Sequence, residues 1–296
     1  MIQQRRVGVV PSPLNAAKKL TQATGFSQAL KVLDAVQSRY ALPMEIISLD
    51  QVASSSQLAS VSREFSAILV DDSLPEAWFS ALAPSGSVQV APFLEAGCSK
   101  ASLLIWPEAA TQDSVLEAGW LQSSFVSKAS FDASVLLAKQ AAAERSASEI
   151  GWVRTSASDR DRAMAARLRS QVAAAPLYPV SEFDLVSRAQ SKKHRTTAQV
   201  LVCDPLIGPT LARALGGSAR VHRIEPALLA LQVSQPGISG AVLGVAFLLD
   251  RLGFVSQGAN LERALQSALA AIPADAPDLE SQTEAAFAHL WSKLDE

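Results

Sequence analysis

Apolar positions follow two alternating rhythms along this chain. Arg6-Val7-Gly8-Val9-Val10 is a short β-branched run stopped by Pro11 and Pro13, and it reads as a buried parallel strand. From Asn15 to Tyr40 the period turns helical, with Ala29, Leu30, Leu33, Val36 and Gln37 on one face and Lys31, Asp34 and Arg39 outside it. Met44 to Leu49 alternates as a second strand, and Ala67 to Val70 is a third, ending in Asp71-Asp72. That order of strand, helix and two further strands predicts a doubly wound α/β unit.

Val88 to Val90, Leu103 to Trp106, Trp152 to Arg154 and Val200 to Val202 add four more strands, the last followed by the turn Asp204-Pro205. Ser130 to Ala147 is an alanine-rich helix with Arg145 near its end, where a cation suits the helix dipole. Asp159 to Ala175 predicts a helix with Ala163, Ala166, Leu168 and Val172 on its apolar side and Arg160, Arg162 and Arg169 elsewhere. Gly237 to Leu252 is an apolar helix capped by Gly253, and Asn260 to Ile272 is amphipathic. Pro273 to Pro277 reads as a linker before a final helix, Glu280 to Leu294.

With 296 residues, 49% hydrophobic and 18% charged, the chain can bury a large core. A net charge of -2 gives no reason to expect nucleic acid or an anionic membrane as partner. The apolar stretch Gly240 to Leu249 is too short to cross a bilayer, so no membrane insertion is expected. Cys98 and Cys203 stand far apart, and His194, His222 and His289 are scattered, which argues against a zinc site. Two free thiols point to a soluble protein of a reducing compartment, cytoplasm or mitochondrial matrix. Gly216-Gly217 reads as a turn, and Ser54, Ser55 and Ser56 as a polar loop without a nucleophile elbow. Lys192-Lys193-His194-Arg195 reads as a solvated loop.

Several segments resemble the isopropylmalate and isocitrate dehydrogenase family. Ala29 to Val36 looks like that family's first helix, and Thr155-Ser156-Ala157-Ser158-Asp159-Arg160 like the junction before its dimerisation helix. Val200-Leu201-Val202-Cys203-Asp204 resembles the strand leading to its metal-binding helix. Gly237 to Leu243, with Leu261 to Ala270, is similar to its adenosine-side loop and C-terminal helices. The resemblance implies two intimately joined α/β domains around a central cleft. Residues 1–93 with 218–296 would form the large domain, and 94–217 the smaller dimerisation domain.

The same comparison finds the family's functional positions replaced. Its glycine-rich opening loop becomes Pro11-Ser12-Pro13-Leu14-Asn15. Pro107 stands where a substrate arginine is expected, and Ser114 at the place of a tyrosine. The catalytic lysine corresponds to Arg160, whose guanidinium stays protonated and cannot shuttle a proton. No carboxylate occupies the metal positions within Gly208-Pro209-Thr210-Leu211-Ala212, leaving Asp184 and Asp204 as isolated candidates for a cation that needs several hard oxygens. The cofactor loop becomes Val233-Ser234-Gln235-Pro236-Gly237, with Ser239 or Gly240 at the adenine-contacting place.

These replacements lead to an expected non-catalytic, structural or regulatory subunit without cofactor, assembling as a homodimer, a heterodimer with a paralogue or part of a larger complex. Trp120, Phe125, Arg160, Arg162 and Arg169 are its interface candidates. One alternative is a dehydrogenase of a small hydroxy acid using NAD(P) and magnesium or manganese. Another is a non-catalytic ligand-sensing module.

Overall fold

The computed structural model describes residues 5–11, 24–52, 54–71, 88–94, 100–107, 109–116, 119–147, 150–154, 159–172, 177–181, 199–217, 219–224, 228–233, 237–272 and 279–293. Its centre is one sheet of ten strands: β1 (Arg5–Val10), β2 (Met44–Ser48), β3 (Ala67–Val70), β4 (Val88–Phe93), β5 (Ser102–Pro107), β8 (Ile150–Arg154), β9 (Leu177–Ser181), β10 (Val200–Cys203), β11 (Ala219–Ile224) and β12 (Leu228–Val233). They lie in the order β2-β1-β3-β12-β11-β4-β5-β10-β8-β9. The first four are mutually parallel, as are the last four, while β11 and β4 pair antiparallel with each other and with the strands flanking them. The two parallel halves therefore run in opposite directions. β6 (Ala110–Leu116) and β7 (Gly119–Phe125) form a separate antiparallel hairpin whose register pairs Ser114 with Leu121 and Val115 with Trp120.

Both faces of the sheet are covered, which explains why its strands read as continuous apolar runs rather than alternating ones. Val7, Val9, Leu103, Ile105, Val200 and Val202 enter the largest core cluster. That cluster also takes in α1 (Gly25–Tyr40), α3 (Lys128–Glu144), α4 (Asp159–Gln171), α6 (Ile238–Leu252) and α7 (Val255–Ala271). The intervening positions Leu104, Trp106, Leu201 and Cys203 pack on the other face under α5 (Gly208–Ala214). Val10, Ile68 and Val70 form a third cluster with Leu58 of α2 (Ser55–Val61). The C-terminal helix, α8 (Leu279–Lys293), docks through Trp291, which lies edge-on to Tyr40 and stacked on Phe287.

Several expectations need correction. Leu168 and Val172 are buried as expected, but Ala163 and Ala166 of α4 are exposed, and Asp161 and Met164 are buried in their place. A buried Asp161 is tolerable because its carboxylate accepts from Trp152 Nε1 at 3.2 Å. Ser54 does not sit in a mere polar loop: its hydroxyl caps α2 by accepting from the Gln57 amide. The helix α7 begins at Val255, five residues before the expected start at Asn260. The strands β9, β11 and β12 escaped the pattern reading altogether. Gly216 and Gly253 do turn the chain with positive φ, at 76° and 95°. The segment Asn15 to Ala23, the Pro273 to Pro277 linker, Cys98 and the Lys192–Arg195 run lie outside the described residues.

Candidate functional site

Two candidate residues meet. Asp204 follows β10, and Arg160 lies in the first turn of α4; Arg160 Nη2 is 2.7 Å from Asp204 Oδ2. The carboxylate is almost wholly buried, with 5% of its side chain exposed against 36% for the guanidinium. Its second oxygen accepts from the Leu206 amide at 2.8 Å, closing an Asx turn. The Asp204 carbonyl accepts the amides of Ile207 and Gly208, so the backbone is led directly into α5. Both carboxylate oxygens are thus engaged, one by a charge and one by the chain itself.

Close packing fixes the start of α5. A Cβ on Gly208 would lie 2.5 Å from Trp106 Cδ2, so only glycine allows this approach to the indole face. Neighbouring Cys203 is fully buried, and burial first, then the Asp204 charge, push its thiol well above the usual range. It is an inert core thiol rather than a nucleophile.

On the outer side of α4, Arg160 also lines a groove of about 430 Å³ with Phe125, Lys128, Phe131, Met164 and Arg167. Phe125, at the end of the hairpin, is 69% exposed. The groove is braced where α3 meets α4: Arg167 holds the Asp132 carboxylate with two nitrogens, and Gln171 Nε2 donates to Asp132 Oδ1 at 2.6 Å. The Arg167 hydrogen bond is the main reason the Asp132 carboxyl is held below its usual range. Sequence reading places Asp132 near a helix start but misses its pairing with Arg167 and Gln171. The partners lie more than 30 residues apart in the chain, and no local pattern connects them.

The remaining expected positions are dispersed. Pro107 ends β5 in the pair with Val88, buried in the sheet. Arg162 pairs with Asp159 on the solvent side of α4, and Arg169 is exposed on a later turn. Gly237 precedes α6, its amide donating to Gln28 Oε1 at 2.6 Å, and Ser239 and Gly240 lie in that helix's first turn. Asp184, Ser234 and Gln235 lie outside the described residues.

Among the described residues no three acidic, histidine or cysteine side chains converge as cation ligands. The described residues around Asp204 do not fit a magnesium or manganese site, because among them the Asp204 carboxylate stands without further acidic ligands and is already neutralised by Arg160. No helix among the described residues is long and apolar enough to cross a membrane.

A mixed sheet whose two parallel halves oppose each other, with helices on both faces, defines an α/β protein of the isocitrate/isopropylmalate dehydrogenase fold. The crystal structure of a β-decarboxylating dehydrogenase from Thermococcus kodakarensis in its apo form is similar to it. The TM-score is 0.66, over 98% of this chain and 97% of that one, at 13% sequence identity. No protein-family model matches the chain, and no curated protein matches it in sequence.

Proposed function

We propose that this chain is a non-catalytic member of that fold, serving as a structural or regulatory subunit that assembles through the Phe125–Arg160 groove. The observation that carries the reading is the Arg160–Asp204 pair. A position expected to move a proton holds a permanently charged guanidinium, and that charge is spent on a buried carboxylate. Beside it the helix Gly208–Ala214 presents no acidic side chain for a cation. The exposed Phe125 ring and the groove next to it supply an apolar anchor and a concave surface, the pairing found at the centre of binding interfaces.

Two measurements test it. Sedimentation of the purified chain should reveal a defined oligomer, alone or with a co-purifying paralogue, that Phe125→Asp dissociates while its circular dichroism is preserved. Incubation with NAD or NADP, magnesium or manganese and a panel of small hydroxy acids should give no cofactor reduction. A monomer indifferent to Phe125→Asp, or reproducible turnover, refutes the reading.

The fold likeness favours one second reading, a metal-dependent NAD(P) dehydrogenase of a small hydroxy acid. It requires Asp184 and Asp204 to meet further carboxylates from a partner chain, and it predicts reduction of the cofactor that Asp184→Asn abolishes.

A further inference from the structure

Away from the Arg160–Asp204 pair, a cavity of about 170 Å³ opens among α1, α6, α7 and α8. Its walls are apolar, formed mainly by Val32, Ile238, Leu261, Phe287 and Trp291. The Phe287 and Trp291 rings are stacked, with centroids 6.0 Å apart and planes 13° from parallel. The volume is of the order known to admit a single benzene ring, about 150 Å³.

Three polar side chains line the same cavity: Gln28, Lys31 and Glu284. Gln28 is only 5% exposed, and its Oε1 accepts the Gly237 amide, which fixes the orientation of the side-chain amide. Its Nε2 donors have no protein partner among the described residues. Lys31 and Glu284, both exposed, stand on α1 and α8, and neither takes part in an ion pair among the described residues. The cavity therefore combines an aromatic-lined apolar floor, the amide donor of a largely buried glutamine, one cation and one anion.

We propose that this cavity binds a free aromatic α-amino acid. The ring lies against Phe287 and Trp291, the carboxylate accepts from Gln28 Nε2 and faces the Lys31 ammonium, and the ligand's own ammonium faces Glu284. A hydrocarbon would fill the same floor but offer the Gln28 donors no acceptor. An aromatic acid without an amine would leave Glu284 repelling its carboxylate. Only a zwitterion answers all three polar groups at once. The inference is independent of the assembly role, since it uses neither Arg160 nor Phe125.

Titration calorimetry and ligand-observed NMR on the full chain with L-phenylalanine test it, beside 3-phenylpropanoate, which lacks the amine, 2-phenylethylamine, which lacks the carboxylate, and toluene. Saturable binding of L-phenylalanine at millimolar concentration or below is expected, with each analogue weaker by about tenfold or more. Lys31→Met should weaken phenylalanine and 3-phenylpropanoate but spare 2-phenylethylamine, and Glu284→Gln should weaken phenylalanine and 2-phenylethylamine but spare 3-phenylpropanoate. Both positions are exposed, so the variants should fold, which circular dichroism checks. Absence of saturation by phenylalanine, toluene binding as tightly as the amino acid, or binding indifferent to both variants would each overturn the proposal.

Discussion

Arg145 and Glu262, 117 residues apart in the chain, form an ion pair in the protein interior with their side chains 4% and 5% exposed. Arg145 Nη1 lies 3.2 Å from Glu262 Oε1 and also donates to the Ala101 carbonyl at 2.8 Å. Glu262 Oε2 in turn accepts the Ala101 amide at 2.9 Å. The pair ties the end of α3 and the approach to β5 onto α7. Beside it Arg251 of α6 pairs with Glu144, and Lys100 Nζ donates to the Glu144 carbonyl. A cation that the local pattern placed at a helix end for the sake of its dipole thus serves as a long-range clamp.

Breaking this clamp from one side should be costly. Glu262→Ala strands a buried guanidinium, and the expected loss is about 3–5 kcal/mol in urea denaturation. The double change Arg145→Met with Glu262→Leu removes both charges together and should recover most of that loss. Equal destabilisation by the single and double variants would show that packing, not charge pairing, holds the site.

Gly208 tests the seat of α5 on Trp106. Gly208→Ala forces a Cβ into the indole face and should cost about 1–3 kcal/mol by overpacking. A compensating Trp106→Leu in the same chain should relieve part of it. Gly258→Ala should behave similarly, because its Cβ would stand 2.7 Å from the Ala246 carbonyl oxygen where α6 and α7 cross.

The Arg160–Asp204 pair separates position from chemistry. Arg160→Lys restores the amine that the dehydrogenase resemblance calls for, and it should still give no cofactor reduction, since no cluster of carboxylates accompanies it among the described residues. Arg160→Met should lower stability by about 1–3 kcal/mol through the buried Asp204 carboxylate left without its cation, a loss that Asp204→Asn in the same chain should reduce. A cofactor-reduction assay of Arg160→Lys checks the first statement, and thermal unfolding of Arg160→Met with and without Asp204→Asn checks the second.

Protonation gives two expectations of opposite sign. The Asp132 carboxyl is depressed by Arg167, so its contribution is full above the unfolded value of about 4 and fades as pH falls through the folded one. Arg167→Met should flatten stability on the acid side. The Cys203 thiol is raised by burial, so its contribution is full below the unfolded value of about 8.5 and declines as pH rises beyond it. In a Cys98→Ser background the native chain should resist thiol reagents at pH 8 and react only on unfolding, which a colorimetric thiol assay reads directly.

The chain's own text determined the α/β class and most of the buried strands and long helices, because those signals are local. Val7 to Val10, Ala67 to Val70 and Val200 to Cys203 are apolar throughout since both sheet faces are covered, and Gly253 closes α6 wherever that helix packs. Tertiary structure alone decided that the sheet's two halves run in opposite directions, since strand direction depends on partners brought from distant segments. It alone gave Arg160 to Asp204, Arg145 to Glu262 and Gln28 to Gly237. A charge or an amide on a helix carries no mark of its partner until folding removes water and leaves the nearest opposite group as its only means of satisfaction.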